Sequence, residues 1–413
     1  MLETCEKTFD LTNPVSFRNG HPFSIYDEIR RTEPIYRNPS SNGAAPIWVL
    51  TRHADVNAVA RDNENFTSTE GFRVLEQGGL ANMKPHIREA IASNLLTMDP
   101  PEHAKVRRPM QSHFLPSALR KLESQIQAFV DNLVSSLPAD SGVEFVTAVA
   151  SIVPIQTLCL MLGIPKADQS KVFDWTNQLV GTSDPEFGPS IEESGDTFEE
   201  VFEYGTQLLN QRRSQPDEDL LSTVAQLFDD GSSRSQNIQR GMFTLLLAAG
   251  NETTRNSLSG SIVALSRFPE QRRQLCDSPS DIARGIPELL RFISPVMQMK
   301  RVAVNDLVIA GQEIHKGDNV AMLYGAANRD PAVFDEPHTL DLQRSNANQH
   351  LSFGIGIHHC LGARIATMQL NAILRALLTR FPDISIADEP EYLQSNFVCG
   401  IKKLSVNTGR EQR

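Results

Sequence analysis

Helical spacing of apolar residues prevails along this chain, and two short segments depart from it. Ile47–Leu50 is an apolar run bounded by a proline and polar residues, which indicates a strand. Between residues 301 and 322, apolar positions are separated by turn-forming groups, which indicates further strands. We therefore expect a mainly α protein with a small β lobe (an α+β fold). The lobe would comprise approximately residues 30–60, residues 299–325 and C-terminal strands, within one domain spanning residues 1–413.

One predicted helix is apolar on nearly every face. Residues 242–249 are almost all apolar, which is typical of a helix that crosses a protein interior. The segment continues as Ala249-Gly250-Asn251-Glu252-Thr253-Thr254, so that an acid and hydroxyls interrupt the apolar run. Small residues there allow a flat ligand to approach, and a back-bonding threonine can loosen the helix locally. Alternatively, the acid and the threonines face solvent or cap a neighbouring element.

The composition is that of an ordinary globular protein, and the net charge is acidic. The chain has 413 residues, of which 40% are hydrophobic and 22% charged, with a formal net charge of −11. Nucleic-acid binding requires a surplus of Lys and Arg, so we expect no nucleic-acid partner. The five cysteines are widely spaced, and neither a signal peptide nor an apolar run of spanning length is recognisable. We therefore expect a cytoplasmic protein without a membrane anchor.

Cys360 stands in a glycine-rich segment, Phe-Gly-Ile-Gly-Ile-His-His-Cys-Leu-Gly over residues 353–362. This position suits a thiolate ligand of haem iron, because glycines let backbone N–H groups approach the sulfur and Phe353 can shield it from water. The alternative is a buried thiol without chemistry, which is how most lone cysteines behave.

The order of residues in this segment closely resembles the haem-binding loop of the cytochrome P450 family. The resemblance covers most of the chain, from the helix with His103 to Cys360, with the key motifs in the expected order. It implies a cytochrome P450-type fold in which haem b lies between the long central helix and the helix after the cysteine, with Cys360 bound to the iron. The further haem contacts that the resemblance implies are Ala249, Gly250, Phe353 and Gly362.

Two acid-bearing motifs acquire roles from the same resemblance. The hexamer around Glu252 resembles the oxygen-activating segment of the family, in which Glu252 would relay protons and Thr253 would hold the hydrogen-bond network. Glu288 and Arg291, three residues apart among apolar neighbours, suggest a buried ion pair. The resemblance implies that this pair stabilises the core beneath the haem together with Arg344.

Haem propionates require cations or hydrogen-bond donors. His103 and Arg107 are four residues apart and therefore share one helix face. The resemblance implies that His103, Arg107, Arg301 and His358 contact the propionates, whereas the alternative for each is an exposed ion pair. His359 abuts the cysteine, but adjacent side chains rarely reach one atom, so we interpret it as a surface histidine.

The resemblance places the substrate pocket above the iron, at mostly apolar residues. Methionines adapt to irregular hydrophobic ligands, so we expect a lipophilic substrate such as a terpenoid, a sterol or a fatty-acyl chain. The alternative for the methionines is that they fill the core. The predicted pocket residues are Leu245, Ala249, Val296, Met297, Gln298, Met299, Phe397 and Val398, together with the loop of residues 71–84.

The resemblance implies a haem-thiolate monooxygenase that uses O₂ to hydroxylate a hydrophobic small molecule. No flavin or dinucleotide motif is visible, so electrons from NAD(P)H would arrive through a separate ferredoxin reductase and ferredoxin. A peroxide-dependent hydroxylase of the same fold and a non-catalytic haem sensor or carrier are the alternatives. The acid–alcohol pair favours O₂ over peroxide. The candidate basic contacts for an acidic ferredoxin are Lys105, Arg107, Arg108 and Arg364.

Overall fold

The helices and strands are assigned in a computed structural model, which describes residues 9–39, 46–75, 84–180, 184, 186 and 191–412. Residues 180 and 191–194 are described for the backbone alone. The helices are α1 (Phe23–Thr32), α2 (His53–Arg61), α3 (Pro85–Ile91), α4 (Glu102–Gln111), α5 (Pro116–Ser135), α6 (Ile152–Leu162), α7 (Gln169–Val180), α8 (Ile191–Ser214), α9 (Leu220–Ala225), α10 (Ser233–Arg267), α11 (Pro269–Asp277), α12 (Ile282–Ile293), α13 (Tyr324–Ala327) and α14 (Ala363–Arg380). The strands are β1 (Ile35–Asn38), β2 (Ile47–Leu50), β3 (Phe66–Thr67), β4 (Gly142–Glu144), β5 (Gln298–Ala303), β6 (Leu307–Ile309), β7 (Gln312–Ile314), β8 (Asn319–Leu323), β9 (Ser385–Ile386), β10 (Glu391–Tyr392), β11 (Ile401–Lys403) and β12 (Ser405–Asn407).

The largest sheet has the strand order β1-β2-β8-β5-β3. β2 pairs in parallel with β8, whereas the other neighbours are antiparallel. β2 coincides with the predicted strand, and β5 to β8 occupy the second predicted extended region. β8 is buried at four of its five positions because it lies between β2 and β5. The predicted mainly α fold with a small β lobe is therefore confirmed.

α10 is a 35-residue helix, about 50 Å long, that runs through the interior. Its first half packs with α6 and α8 around Phe243, and its second half packs with α12 and α14 around Leu258. At Gly260 a Cβ atom would lie 2.7 Å from Cγ2 of Ile293, so the glycine permits the close approach of α12. Burial from several sides explains why residues 242–249 show no polar face. Among the described residues, no helix has both the length and the apolar character needed to cross a bilayer.

Candidate active site

One cavity lies between α10 and the loop that precedes α14. Residues 352–354 and 358–362 line it from the loop, and residues of α10 between 242 and 257 line it from the helix. Side chains from α6, from β5 and from the segment before β11 also line it. The cavity therefore brings together the two motifs that the sequence separates by about a hundred residues.

The loop around Cys360 is shaped by glycines. Gly354 and Gly356 adopt left-handed backbone conformations, with φ of +66° and +71°. A Cβ atom at Gly356 would lie 2.7 Å from the carbonyl oxygen of Ala60, so the loop packs directly on the last turn of α2. The Cys360 N–H donates to the carbonyl oxygen of Phe353 at 2.8 Å, which folds the loop back on itself.

The Cys360 side chain opens onto the cavity. Burial raises the pKa of its thiol, and this effect is opposed by backbone N–H groups of Gly362 and Ala363 and by the Arg107 guanidinium. Donors of this kind stabilise a thiolate that binds a metal. Phe353 and Gly362 also line the cavity, beside the cysteine.

The four residues predicted to contact propionates come together at this cavity. The rings of His103 and His358 meet edge to face with centroids 4.7 Å apart, and Arg107, Arg301 and His358 line the cavity wall. Burial and neighbouring guanidinium groups lower the pKa of His103 to about 4 and that of His358 to about 2. Ser68 Oγ lies 3.1 Å from His358 Nε2, a contact that the sequence did not indicate.

This cluster contains polar groups that no other described residue satisfies. Nε2 of His103 and Nδ1 of His358 are buried without a hydrogen-bond partner. Within the described part of the chain, Arg107 and Arg301 form no ion pair and donate instead to backbone carbonyls at 2.7 and 2.8 Å. A buried cation is stabilised by an anionic partner, and a buried polar atom needs a hydrogen-bond partner. The two propionates of a haem whose iron is bound by Cys360 fit this requirement.

The threonine of the α10 motif is placed at the cavity. Thr253 is half-buried, and its Oγ1 donates to the carbonyl oxygen of Ala249 at 3.0 Å. Ala249 and Gly250 line the cavity as well. A Cβ atom at Gly250 would lie 3.1 Å from Cδ1 of Leu158, so the glycine also lets α6 pack closely. The motif thus presents a hydroxyl among small side chains, as its residue types indicated.

Glu252 contributes to the same wall, although its exposed fraction is only 1%. Its Oε1 accepts hydrogen bonds from the Arg255 guanidinium and from Asn256 Nδ2, the latter at 2.9 Å. Its Oε2 is buried without a partner. The carboxylate that precedes Thr253 is therefore only half satisfied.

Glu288 and Arg291 form a fully buried bidentate ion pair on α12. Nε and Nη2 of Arg291 lie 2.7 and 2.8 Å from the two carboxylate oxygens of Glu288. Arg344 Nε lies 3.1 Å from each of the same oxygens, and the Asp341 N–H donates to Oε1 at 3.0 Å. The structure thus joins the three residues that the resemblance grouped.

The predicted substrate residues divide into two sets. Leu245, Val296 and Phe397 line the cavity. Met297 and Gln298 do not line this cavity. Met297 is buried in a separate apolar cluster near the N-terminus, and the Gln298 amide exchanges hydrogen bonds with backbone atoms of residue 74 at 3.2 and 3.3 Å.

Met299, one of the predicted pocket residues, lines the cavity in β5 and shares its strand face with Arg301, because alternate strand residues face the same side. Other cavity residues had no individual signal in the sequence. Phe72, in the predicted loop, meets Phe397 edge to face with ring centroids 5.9 Å apart. Residues 76–83 of that loop lie outside the described residues. Leu158 and Met161 come from α6, whose apolar pattern does not reveal which of its residues meet a ligand.

The fold and the site define a haem-thiolate oxidoreductase, and comparisons with known proteins agree. A sequence model of the family described as cytochrome P450 matches residues 283–407. Linalool 8-monooxygenase of Pseudomonas putida is 34% identical over 96% of this chain and 98% of that protein. Steroid C26-monooxygenase of Rhodococcus jostii (strain RHA1) is 33% identical over 97% of this chain and 84% of that protein.

Solved structures give the same result. The structure of Mycobacterium marinum cytochrome P450 CYP268A2 in complex with pseudoionone superimposes with a TM-score of 0.85 at 34% identity, over 93% of this chain and 94% of that one. The chain therefore belongs to the cytochrome P450 family, and its reaction class is monooxygenation.

Proposed function

We propose that this chain hydroxylates a lipophilic small molecule of the terpenoid, sterol or fatty-acyl type, using O₂. The observation that carries the proposal is the apolar lining of the cavity beside Thr253, where Leu245, Val296 and Phe397 offer few polar handles. Such a pocket binds its ligand through buried apolar surface. Relatives named for linalool, for steroids and for methyl-branched lipids support the same substrate class.

Under this proposal, the residues of the cavity have the following roles. When bound, a thiolate-ligated haem supplies oxygen-activating chemistry. Cys360 would hold the iron, and the His103, Arg107, Arg301 and His358 cluster would hold the propionates. Thr253 would hold a hydrogen-bond network at the cavity wall, and Glu252 would take up and release a proton at its unpaired Oε2.

We further propose that electrons reach this chain from NAD(P)H through a ferredoxin reductase and a ferredoxin. Arg108 and Arg364 are exposed and available to an acidic protein. Lys105 is exposed too, but it forms an ion pair with Glu102 at 2.7 Å. Arg107 belongs to the propionate cluster, so its contribution to docking would be smaller.

The test compares the two ways of driving the reaction. The haem-loaded protein is first titrated with terpenoids, sterols and fatty acids, and binding is read from the shift of the haem absorption band. Ligands that bind are then incubated either with NAD(P)H, ferredoxin and its reductase, or with hydrogen peroxide. We expect a monohydroxylated product with the electron chain, and less product per NAD(P)H consumed in Thr253→Ala.

Three outcomes would contradict the proposal. Turnover with peroxide alone would favour the peroxide-dependent alternative. A protein that shows no spectral shift and no oxygen consumption with any ligand would be a sensor or a carrier. Equal product yields in Thr253→Ala and the parent chain would remove the hydroxyl from the mechanism.

A further inference from the structure

α10 contains a buried ion pair, Glu252–Arg255, in which Arg255 has no role in the proposed function. Arg255 follows Glu252 by one helical turn, and its Nη2 donates to Glu252 Oε1, which also accepts from Asn256. The side chains of Glu252 and Arg255 are 2% and 7% exposed, so water does little to screen their attraction. A buried guanidinium that donates a hydrogen bond to a carboxylate favours the charged form of that carboxylate.

Arg255 is itself held by α7. Its Nη1 donates to Asn177 Oδ1 at 2.6 Å, and Asn251 Nδ2 of α10 donates to Thr176 Oγ1 at 2.8 Å. Asn177 lies in the last turn of α7, where the partial negative charge of the helix end favours a nearby cation. Two neighbouring residues of α7 therefore fix the turn of α10 that bears Glu252.

The second partner of Glu252 is fixed from the C-terminal strands. Asn256 donates to Glu252 through Nδ2, and its Oδ1 accepts from the N–H of Ile401 at 3.2 Å. Ile401 begins β11, directly after the segment in which Phe397 and Val398 line the cavity. Both partners of the carboxylate are thus fixed from elements outside α10.

This pair differs from the Glu288–Arg291 pair, which has the same spacing. In the α12 pair, both carboxylate oxygens bond to Arg291 and to Arg344. In the α10 pair, Glu252 Oε2 and Arg255 Nε are buried with no partner. A purely structural ion pair gains free energy by satisfying such atoms. In the α10 pair, Arg255 and Asn256 hold one carboxylate oxygen, and the other is left without a hydrogen-bond partner among the described residues.

We propose that Arg255, held by Asn177, is a positioning residue that keeps Glu252 ionised and presents its Oε2 as the proton-accepting atom. The inference rests on the proposed proton role of Glu252. It assigns to α7 a part in the reaction: Asn177 holds the cation on which the state of the acid depends.

Three substitutions separate the parts of this proposal. Arg255→Gln removes the cation and keeps a side chain of similar length, whereas Arg255→Lys keeps the charge. Asn177→Ala leaves both charged groups in place and removes the bond to α7. Arg267→Gln is the matched control, since it removes a half-exposed cation from the same helix.

Two quantities are measured for each variant in the haem-loaded protein. The first is the fraction of NAD(P)H electrons recovered in hydroxylated product, which we expect to fall about tenfold or more in Arg255→Gln. Arg255→Lys should recover part of this loss, Asn177→Ala should lie between Arg255→Gln and the parent chain, and Arg267→Gln should match the parent. The affinity for substrate, read from the haem absorption band, should stay within about twofold of the parent in all of them.

The second quantity does not depend on turnover. Infrared difference spectra at neutral pH should show the carbonyl stretch of a protonated carboxylic acid in Arg255→Gln and not in the parent chain or in Arg255→Lys. The band should vanish in the double variant that also carries Glu252→Gln, which assigns it to Glu252. A variant that merely loosened the fold would not produce this band.

The outcomes distinguish this inference from the function on which it rests. Reduced coupling in Glu252→Gln, together with parent-like coupling and no acid band in Arg255→Gln, would overturn the role of Arg255 and leave the proton role of Glu252 intact. Parent-like coupling in Glu252→Gln would overturn both. If Arg255→Gln does not fold, Asn177→Ala decides the matter, and parent-like coupling in that variant would overturn the role given to α7.

Discussion

Replacing Glu288 by Gln tests how much the charge of this buried side chain stabilises the core beneath the cavity. The substitution keeps the size of the side chain and removes its charge. Arg291 would remain fully buried, and Arg344 would remain nearly so, both without their shared carboxylate. The change therefore isolates the electrostatic contribution of one buried group.

The structure indicates that this contribution is large. Arg291 also donates to the carbonyl oxygens of Asn328 and Pro337 at 2.8 and 2.9 Å, so it cannot turn toward solvent without losing further bonds. An amide offers one acceptor where the carboxylate offers two, and its NH₂ group faces guanidinium donors. Removing one partner of a buried ion pair typically costs about 3–5 kcal/mol. A typical protein has a free energy of unfolding of about 5–15 kcal/mol, so the loss would be a substantial share of it.

Urea unfolding followed by circular dichroism measures this loss, with Glu270→Gln as the matched control. Glu270 and Arg273 have the same spacing on α11, but their side chains are 76% and 64% exposed, and exposed pairs contribute little. We expect a large decrease in the free energy of unfolding for Glu288→Gln and almost none for Glu270→Gln. A loss below about 1 kcal/mol in Glu288→Gln, or equal losses in the two variants, would show that the buried charge contributes little to stability.

Three further predictions concern the cavity and its surroundings. Lys402→Met removes a cation 3.2 Å from the buried Asp184 carboxylate, and we expect the free energy of unfolding to fall by about 1–3 kcal/mol in urea melts, because a buried carboxylate loses a charged hydrogen-bond donor; an unchanged value would contradict this. Phe397→Ala should weaken substrate binding about tenfold in spectral titrations, because Phe397 lines the cavity. Met297→Leu should leave the affinity unchanged, because Met297 lies in a separate apolar cluster. Burial lowers the pKa of His21 from 6.5 to about 4, so the His21 side chain binds a proton more tightly in the unfolded chain than in the folded one. The free energy of unfolding should therefore fall by up to about 3 kcal/mol as the pH falls from about 6.5 to about 4. His21→Gln should remove that part of the pH dependence in urea melts.

Features decided by neighbouring residues could be predicted from the sequence. The strand at residues 47–50 needs only its apolar run and its flanking breakers. The turn around Gly354 and Gly356 follows from glycine's access to left-handed backbone conformations. The placement of Cys360 at the cavity then follows, since residues 353–362 form one continuous loop before α14.

Features that depend on distant residues could not be predicted. The side of β5 that faces the cavity depends on its pairing with β8, where Arg301 lies opposite Val320, and the sequence of β5 does not contain that information. For this reason the sequence did not reveal that the Gln298 amide contacts residue 74 instead of the cavity. The role of Arg255 depends on Asn177, which is 78 residues away, so no local pattern marks it.

Glutamate and arginine three residues apart show why spacing alone does not assign a role. Three of the described pairs with this spacing are Glu252–Arg255 in α10, Glu270–Arg273 in α11 and Glu288–Arg291 in α12. The α11 pair is exposed and screened by water, and the α12 pair is buried with every carboxylate oxygen bonded. Among these three, only the α10 pair combines burial with an unpaired carboxylate oxygen, and its glutamate is one of the residues that line the cavity. A charge that is desolvated but incompletely bonded responds most strongly to a proton or a ligand that approaches it, so the pair beside Thr253 is the one suited to chemistry.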